Sequence, residues 1–223
     1  MAEEVEIKQS VMAADEKIAE KIRNKGKEKG VLILNLIGSP GSGKTSILEA
    51  TFKAADFKFA VIEGDLATTR DAERIAVLGV PAFQINTHGG CHLEANLIEG
   101  PFNELDLDNL DVVFIENVGN LVCPAEFDLG EDYKVAVNSI PEGADKPLKY
   151  PYLFYEAGAV LLTKMDLLPY ISFDMDLFRK DVEKLNPKVS IFEMEPVNGK
   201  GIDEWVKLVD RWIKEKKING FCN

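Results

Sequence analysis

VLILNLIGSPGSGKTSILEA, residues 31–50, joins an apolar run to a glycine-rich turn and then to a helix pattern. The run VLILNLIG at 31–38 has the length and β-branching of a buried strand, and a helix is expected from Lys44 to about Ala55. Between them, GSPGSGKTS at 38–46 matches G-x-x-x-x-G-K-T in a strand–loop–helix context. This is the pattern of a phosphate loop. Gly38, Gly41 and Gly43 let backbone N–H groups converge on phosphate oxygens, and the helix amino terminus adds a favourable dipole. Ser42 and Ser46 lie within the same contact stretch. Lys44 is expected to reach the β and γ phosphates, and Thr45 to offer its hydroxyl to Mg²⁺.

Outward from this loop, strand patterns recur at KFAVIEGD (58–65), LDVVFIENVG (110–119), KVAVNSI, AGAVLLTKMDL and KVSIFEM. Helices are expected at 69–78, 174–185 and 201–217. PAFQIN leads into an irregular segment, THGGCHLEANLIEG, and the three prolines of PEGADKPLKYPYLFYE mark that stretch as loop-like. Strands separated by helix-length segments predict an α/β fold: a single P-loop NTPase domain with a mostly parallel sheet covered by helices on both faces. Residues 1–30 form an amphipathic helix and linker, with Val5, Val11, Met12, Ile18 and Ile22 on one face, packing on the domain or on a partner. The phosphate-loop domain is expected at 31–217 and a short tail at 218–223.

The composition narrows the function. The 223 residues are 46% hydrophobic and 29% charged, and 38 acidic against 26 basic residues give a net charge of −12. That balance argues against an extended nucleic-acid or anionic-membrane surface, while leaving room for a small anion pocket. The apolar runs are too short to cross a bilayer. Three scattered cysteines fit a reducing compartment, and a cytoplasmic location is expected.

Hydrolysis needs carboxylates that position metal and water. Asp65 ends the second strand, Asp71 follows six residues later, and Glu116 sits at the carboxyl end of FIENVG, where it can hold Mg²⁺ through water. The backbone N–H of Gly119 is placed to meet the γ phosphate. Arg70 and Arg74 either neutralise transition-state charge or sit on an exposed helix face. In TKMDL, Asp166 can accept two hydrogen bonds from the amidine edge of guanine, and the stem of Lys164 can lie along the base, which points to GTP. Thr163 stands where an asparagine would ordinarily tie this loop to the phosphate loop.

Cys91 and His92 adjoin, and Cys123 follows the Glu116 strand. They are either ligands for Zn²⁺ or Ni²⁺, with His88 nearby, or two small buried thiols and a turn-capping histidine. Adjacent side chains are expected to diverge, so a dimer presenting two such sets face to face is the natural way to complete a tetrahedral site.

Taken together, GSPGSGKTS, EGDLATTRDAERI, GGCHLEA, FIENVGNLVCP, DKPLKYP and TKMDLLPY resemble the hydrogenase nickel-incorporation accessory GTPases, the HypB family, over residues 10–217. The resemblance implies GTP hydrolysis coupled to homodimerisation and to nickel insertion into the large subunit of nickel–iron hydrogenase. It implies a small zinc-bearing metallochaperone as partner and metal on Cys91, His92 and Cys123. It implies catalysis by Lys44, the Asp65 to Asp71 switch, Glu116 and Gly119, and base reading by Asp166. Many members begin with a cysteine- or histidine-rich tract; residues 1–30 carry neither, so no nickel store is expected there. The rivals are a related accessory GTPase serving another client such as urease, and a small-molecule kinase. Five arginines with no clustered lid disfavour the kinase, and Ser39 disfavours a partitioning ATPase.

Overall fold

The computed structural model describes the backbone of residues 2–65 and 74–220, and the side chains of 12–65, 74–218 and 220. The run at 31–38 forms β1 (Leu32–Gly38), with all seven residues buried. It is followed by α2 (Lys44–Ala54), β2 (Phe59–Asp65), β3 (Ala82–Asn86), α3 (Ala95–Glu104) and β4 (Val112–Glu116). Then come α4 (Cys123–Glu126), β5 (Tyr133–Ser139), α5 (Lys146–Lys149), α6 (Pro151–Glu156) and β6 (Ala157–Thr163). The chain continues through α7 (Met175–Leu185), β7 (Ser190–Glu193) and α8 (Ile202–Gly220), while α1 (Ala2–Lys29) precedes the sheet.

The seven strands lie in the order β3-β2-β4-β1-β5-β6-β7, and every pairing is parallel. The strand order diverges on the two sides of β1, and in open parallel sheets ligands bind outside the carboxyl ends of the strands at such a point. Alternate residues of β1 serve opposite layers. Leu32, Leu34 and Leu36 pack with α2 and with Trp205 and Trp212 of α8. Ile33 joins Ala19 and Ile22 of α1 and Ile98 and Phe102 of α3. Ile37 joins Leu153 and Phe154 of α6 and Phe178 of α7. Each such aliphatic or aromatic side chain contributes about 1.5–3 kcal/mol on burial. Truncating the fully buried Phe102 to alanine is expected to cost about 3–5 kcal/mol. The docking of α8 on α2 is also polar, since Trp205 Nε1 donates to Thr51 Oγ1 at 3.2 Å.

Helix α1 packs on the domain through Ala19 and Ile22, while Met12 is exposed; the side chains of Val5 and Val11 lie outside the described residues. Asp15 of α1 reaches across to accept from the backbone N–H groups of Ala95 (3.2 Å) and Asn96 (2.9 Å), satisfying orphan donors at the start of α3. The sequence pattern does not show α3, because Gly100 and Pro101 interrupt it. Burial of Ile98 and Phe102 nevertheless holds the turn containing Pro101. The loop expected at 141–156 also differs. Pro147 and Pro151 stand in the first turns of α5 and α6, where a missing N–H costs nothing and the fixed φ suits a helix. Of the helix expected at 69–78, residues 69–73 lie outside the described residues, 74–76 are helical and 77–78 form a turn.

Candidate functional site

The carboxyl ends of β1, β2 and β4 open on one cleft of about 410 Å³, lined by Gly41, Gly43, Lys44, Thr45 and Ser46, by Asp65, by Glu116 and Gly119, and by Lys164. The local conformation follows from residue type. Gly43, immediately ahead of α2, has φ 101°, a left-handed geometry that a side chain would strain. Lys44 is buried at the first helical position, and its Nζ donates to the carbonyls of Gly38 (3.2 Å) and Ser39 (3.4 Å). The ammonium is thereby held inside the loop. Ser42 is also buried.

Thr45 Oγ1 donates to Glu116 Oε1 at 2.8 Å, which joins the start of α2 to the end of β4. These are hard oxygen groups of the kind Mg²⁺ takes. Gly119 lies against the phosphate loop so closely that a Cβ would sit 2.6 Å from Pro40 Cγ. Arg74 also lines the cleft, and its guanidinium makes a paired contact with Glu49 of α2, at 2.9 and 2.7 Å. Asp166 stands on the exposed turn after β6, outside the cleft lining, and Lys164 ahead of it adopts a left-handed φ of 59°. Asp71 and Arg70 lie outside the described residues.

Two cleft residues escaped the sequence reading. Glu63, buried on β2, pairs in register with Glu116 of β4, so two carboxylates sit side by side at one wall. Its signal was a charge inside an otherwise apolar strand. Asn117 is the other: its Oδ1 accepts from the amides of Leu93 (3.2 Å) and Val118 (3.0 Å), and its Nδ2 donates to Asn35 Oδ1 (3.2 Å). Asn35 in turn donates to the buried Glu131. Burial raises the Glu131 pKa, with Lys134 opposing.

Cys91, His92 and Cys123 come together, with one ligand atom from each within 4.8 Å of the others. Cys91 Sγ stands 3.4 Å from His92 Nδ1. The expected divergence of adjacent side chains does not occur, because residues 91 and 92 lie in a bend rather than in extended or helical backbone. The imidazole stacks on Phe127 with centroids 3.9 Å apart, and its Nε2 lies 3.5 Å from Glu94 Oε1. The Cys91 thiol is pushed above its ordinary pKa by its hydrogen bond with Cys123 and then by desolvation. Two thiols and an imidazole form a soft to borderline donor set that suits nickel or zinc. His88 is not one of the three.

Residues 32–193 match the family model described as CobW/HypB/UreG, nucleotide-binding domain. The hydrogenase maturation factor HypB of Escherichia coli K12 is 45% identical over 215 residues, covering 96% of this chain and 73% of that protein. The hydrogenase/urease maturation factor HypB of Helicobacter pylori strain 26695 is 41% identical over 222 residues, covering 98% and 90%. The crystal structure of HypB from Helicobacter pylori in complex with nickel superposes with a TM-score of 0.87 at 40% identity, covering 92% of this chain and 97% of that one.

Proposed function

The chain belongs to the CobW/HypB/UreG nucleotide-binding family, in its HypB branch, and on that premise we propose that it is a GTP-hydrolysing switch that delivers nickel during hydrogenase maturation. The observation that carries this reading is the short segment from Glu116 to Cys123. It begins in the wall of the phosphate cleft and ends in the thiol and imidazole cluster.

In this reading the backbone of residues 38–46 and Lys44 bind the phosphates, and Asp166 with Lys164 selects guanine. Thr45 and Glu116, with Asp71, would hold Mg²⁺, which when bound neutralises charge on the phosphate oxygens. Asp65 and Asp71 orient the attacking water, and the Gly119 N–H marks the presence of the γ phosphate. Nickel is the cargo, and Cys91, His92 and Cys123 take it up, with zinc as the competing ion. Three donors leave one tetrahedral position, and a second copy of the chain in a GTP-dependent homodimer is the source we favour for completing the site. The partners are a small zinc-bearing metallochaperone and the hydrogenase large subunit, in the cytoplasm. Among the described residues no helix is long and apolar enough to cross a membrane.

The test is sedimentation of nickel-loaded protein with a GTP analogue, GDP or no nucleotide, counting metal in each species. A GTP-dependent dimer is expected, with nucleotide binding lost in Lys44→Ala and nickel lost in Cys123→Ser. Unchanged GTP binding in Lys44→Ala overturns the reading. The Helicobacter pylori relative is named for urease as well as hydrogenase, so apo-urease is the second client to assay.

A further inference from the structure

The loop that carries Cys91 and His92 is held on both sides of His92 by asparagines from a single segment. On one side, Asn120 Nδ2 donates to the carbonyl of Cys91 at 3.1 Å. On the other, Asn117 Oδ1 accepts from the amide of Leu93 at 3.2 Å. Between these asparagines stand Val118 and Gly119, which line the nucleotide cleft. Three residues beyond Asn120 the same segment supplies Cys123. Leu93 is itself fully buried and lies against Gly64 of the cleft wall, where a Cβ would come within 2.7 Å of Leu93 Cγ.

The chemistry of the two amides suits the task. Each Asn side chain offers an acceptor and a donor at once. Asn117 spends its acceptor on Leu93 and Val118 and its donor on the buried Asn35. Asn120 spends its acceptor on the amide of Val122 at 3.0 Å and its donor on Cys91. Each therefore fixes its own backbone segment and grips the metal loop at the same time. A shift of residues 117–120 moves the backbone on both sides of His92 and carries Cys123 with it, so all three donors answer to one displacement.

We infer that Asn117 and Asn120 are positioning residues that set the geometry of the Cys91, His92 and Cys123 donors according to whether a γ phosphate is bound beside Gly119. This inference rests on the nucleotide and nickel reading above and names the residues through which one site governs the other. A nucleotide can shift this equilibrium only through contacts that differ between its two forms. The γ phosphate at the Gly119 N–H is that contact.

The experiment titrates the full chain with Ni²⁺ in the presence of Mg²⁺ and either a non-hydrolysable GTP analogue or GDP, reading the thiolate-to-nickel charge-transfer absorption. The parent protein is expected to show a ratio of nickel affinities in the range usual for coupled sites, about 5- to 150-fold. Asn120→Asp keeps the acceptor for Val122, replaces the donor to Cys91 with a carboxylate oxygen and adds a negative charge, which acts on nickel affinity with either nucleotide and so leaves the ratio as the readout. It is expected to bring the ratio within about twofold of one, with GTP affinity and thermal midpoint unchanged. Asn120→Ser, too short to reach Cys91, repeats the test at the same half-buried position without a charge. Asn117→Ser removes the grip on Leu93 and is expected to lower the ratio as well. A parent-like ratio in the Asn120 variants, from a parent that does distinguish the nucleotides, overturns the bracket while leaving the nickel switch intact. A parent that binds nickel equally with both nucleotides, or not at all, overturns the switch and the bracket together.

Discussion

Thr163 Oγ1 donates to the carbonyl of Ser42 at 2.5 Å, with both residues buried, and this bond fastens the turn carrying Lys164 and Asp166 to the phosphate loop. A threonine thus makes the tie that an asparagine would ordinarily make, through one donor in place of two. Thr163→Val keeps the shape and removes the hydrogen. Loss of a bond of about 0.5–1.5 kcal/mol is expected to weaken GTP binding about 2- to 10-fold, while Thr163→Ser retains affinity. Fluorescent-nucleotide titration separates these outcomes.

Glu116 and Thr45 meet at 2.8 Å where β4 ends and α2 begins. Glu116→Gln preserves an acceptor for the threonine hydroxyl and removes the negative charge. The expected result is a loss of about 10–100-fold in Mg²⁺ affinity, the range seen when groups supporting a metal's ligands are replaced. Nucleotide binding in EDTA should stay near the parent value. A Mg²⁺ titration of GTP affinity, repeated for Glu63→Gln, shows whether the neighbouring carboxylate shares the task.

Asp15 caps α3 from a different helix, through the amides of Ala95 and Asn96. Asp15→Ala is expected to cost about 1 kcal/mol, as the removal of a helix cap usually does, and Asp15→Asn much less. Urea unfolding gives the difference directly. In a domain of this size the corresponding fall in midpoint temperature is about 2–4 °C per kcal/mol.

The legible parts of the molecule were those whose chemistry demands particular residue types at fixed short spacing. GSPGSGKTS announced the loop, and the branched apolar runs announced the strands. The three metal-cluster residues were visible as residue types, but their convergence depended on a bend at 91–92 that spacing cannot show. Contacts between distant segments left no local trace: nothing near Asp15 points to Ala95, and nothing near Asn120 points to Cys91. Pro151 misled for a related reason, since a proline in the first turn of a helix and a proline in a loop look alike until the burial of Leu153 and Phe154 is known.

Partial desolvation would raise the pKa of Asp111, but hydrogen bonds from Lys217 Nζ (2.5 Å) and the Lys58 amide (2.8 Å) hold it below the usual carboxylate range. With the folded value below the unfolded one, near 3.9, the group adds stability that is present above that unfolded value. The contribution is lost as pH falls through the folded value. Asp111→Asn should therefore be less stable than the parent at neutral pH, with the gap closing below about pH 4. Urea midpoints measured across pH 2–7, a range on the order of that over which carboxylates titrate, check the sign.

Strand β1 pairs with β4 at Leu32↔Val112 and with β5 at Leu34↔Tyr133. The central strand thus precedes both of its neighbours in the chain and gains the second of them only when β5 emerges. At about 5–20 residues per second a ribosome needs roughly 5–20 s to deliver those partners. Until then the most apolar stretch of the chain is an unpaired edge, exposed to association with other nascent chains. The phosphate loop, shaped between β1 and β5, takes its final form only once β5 has emerged.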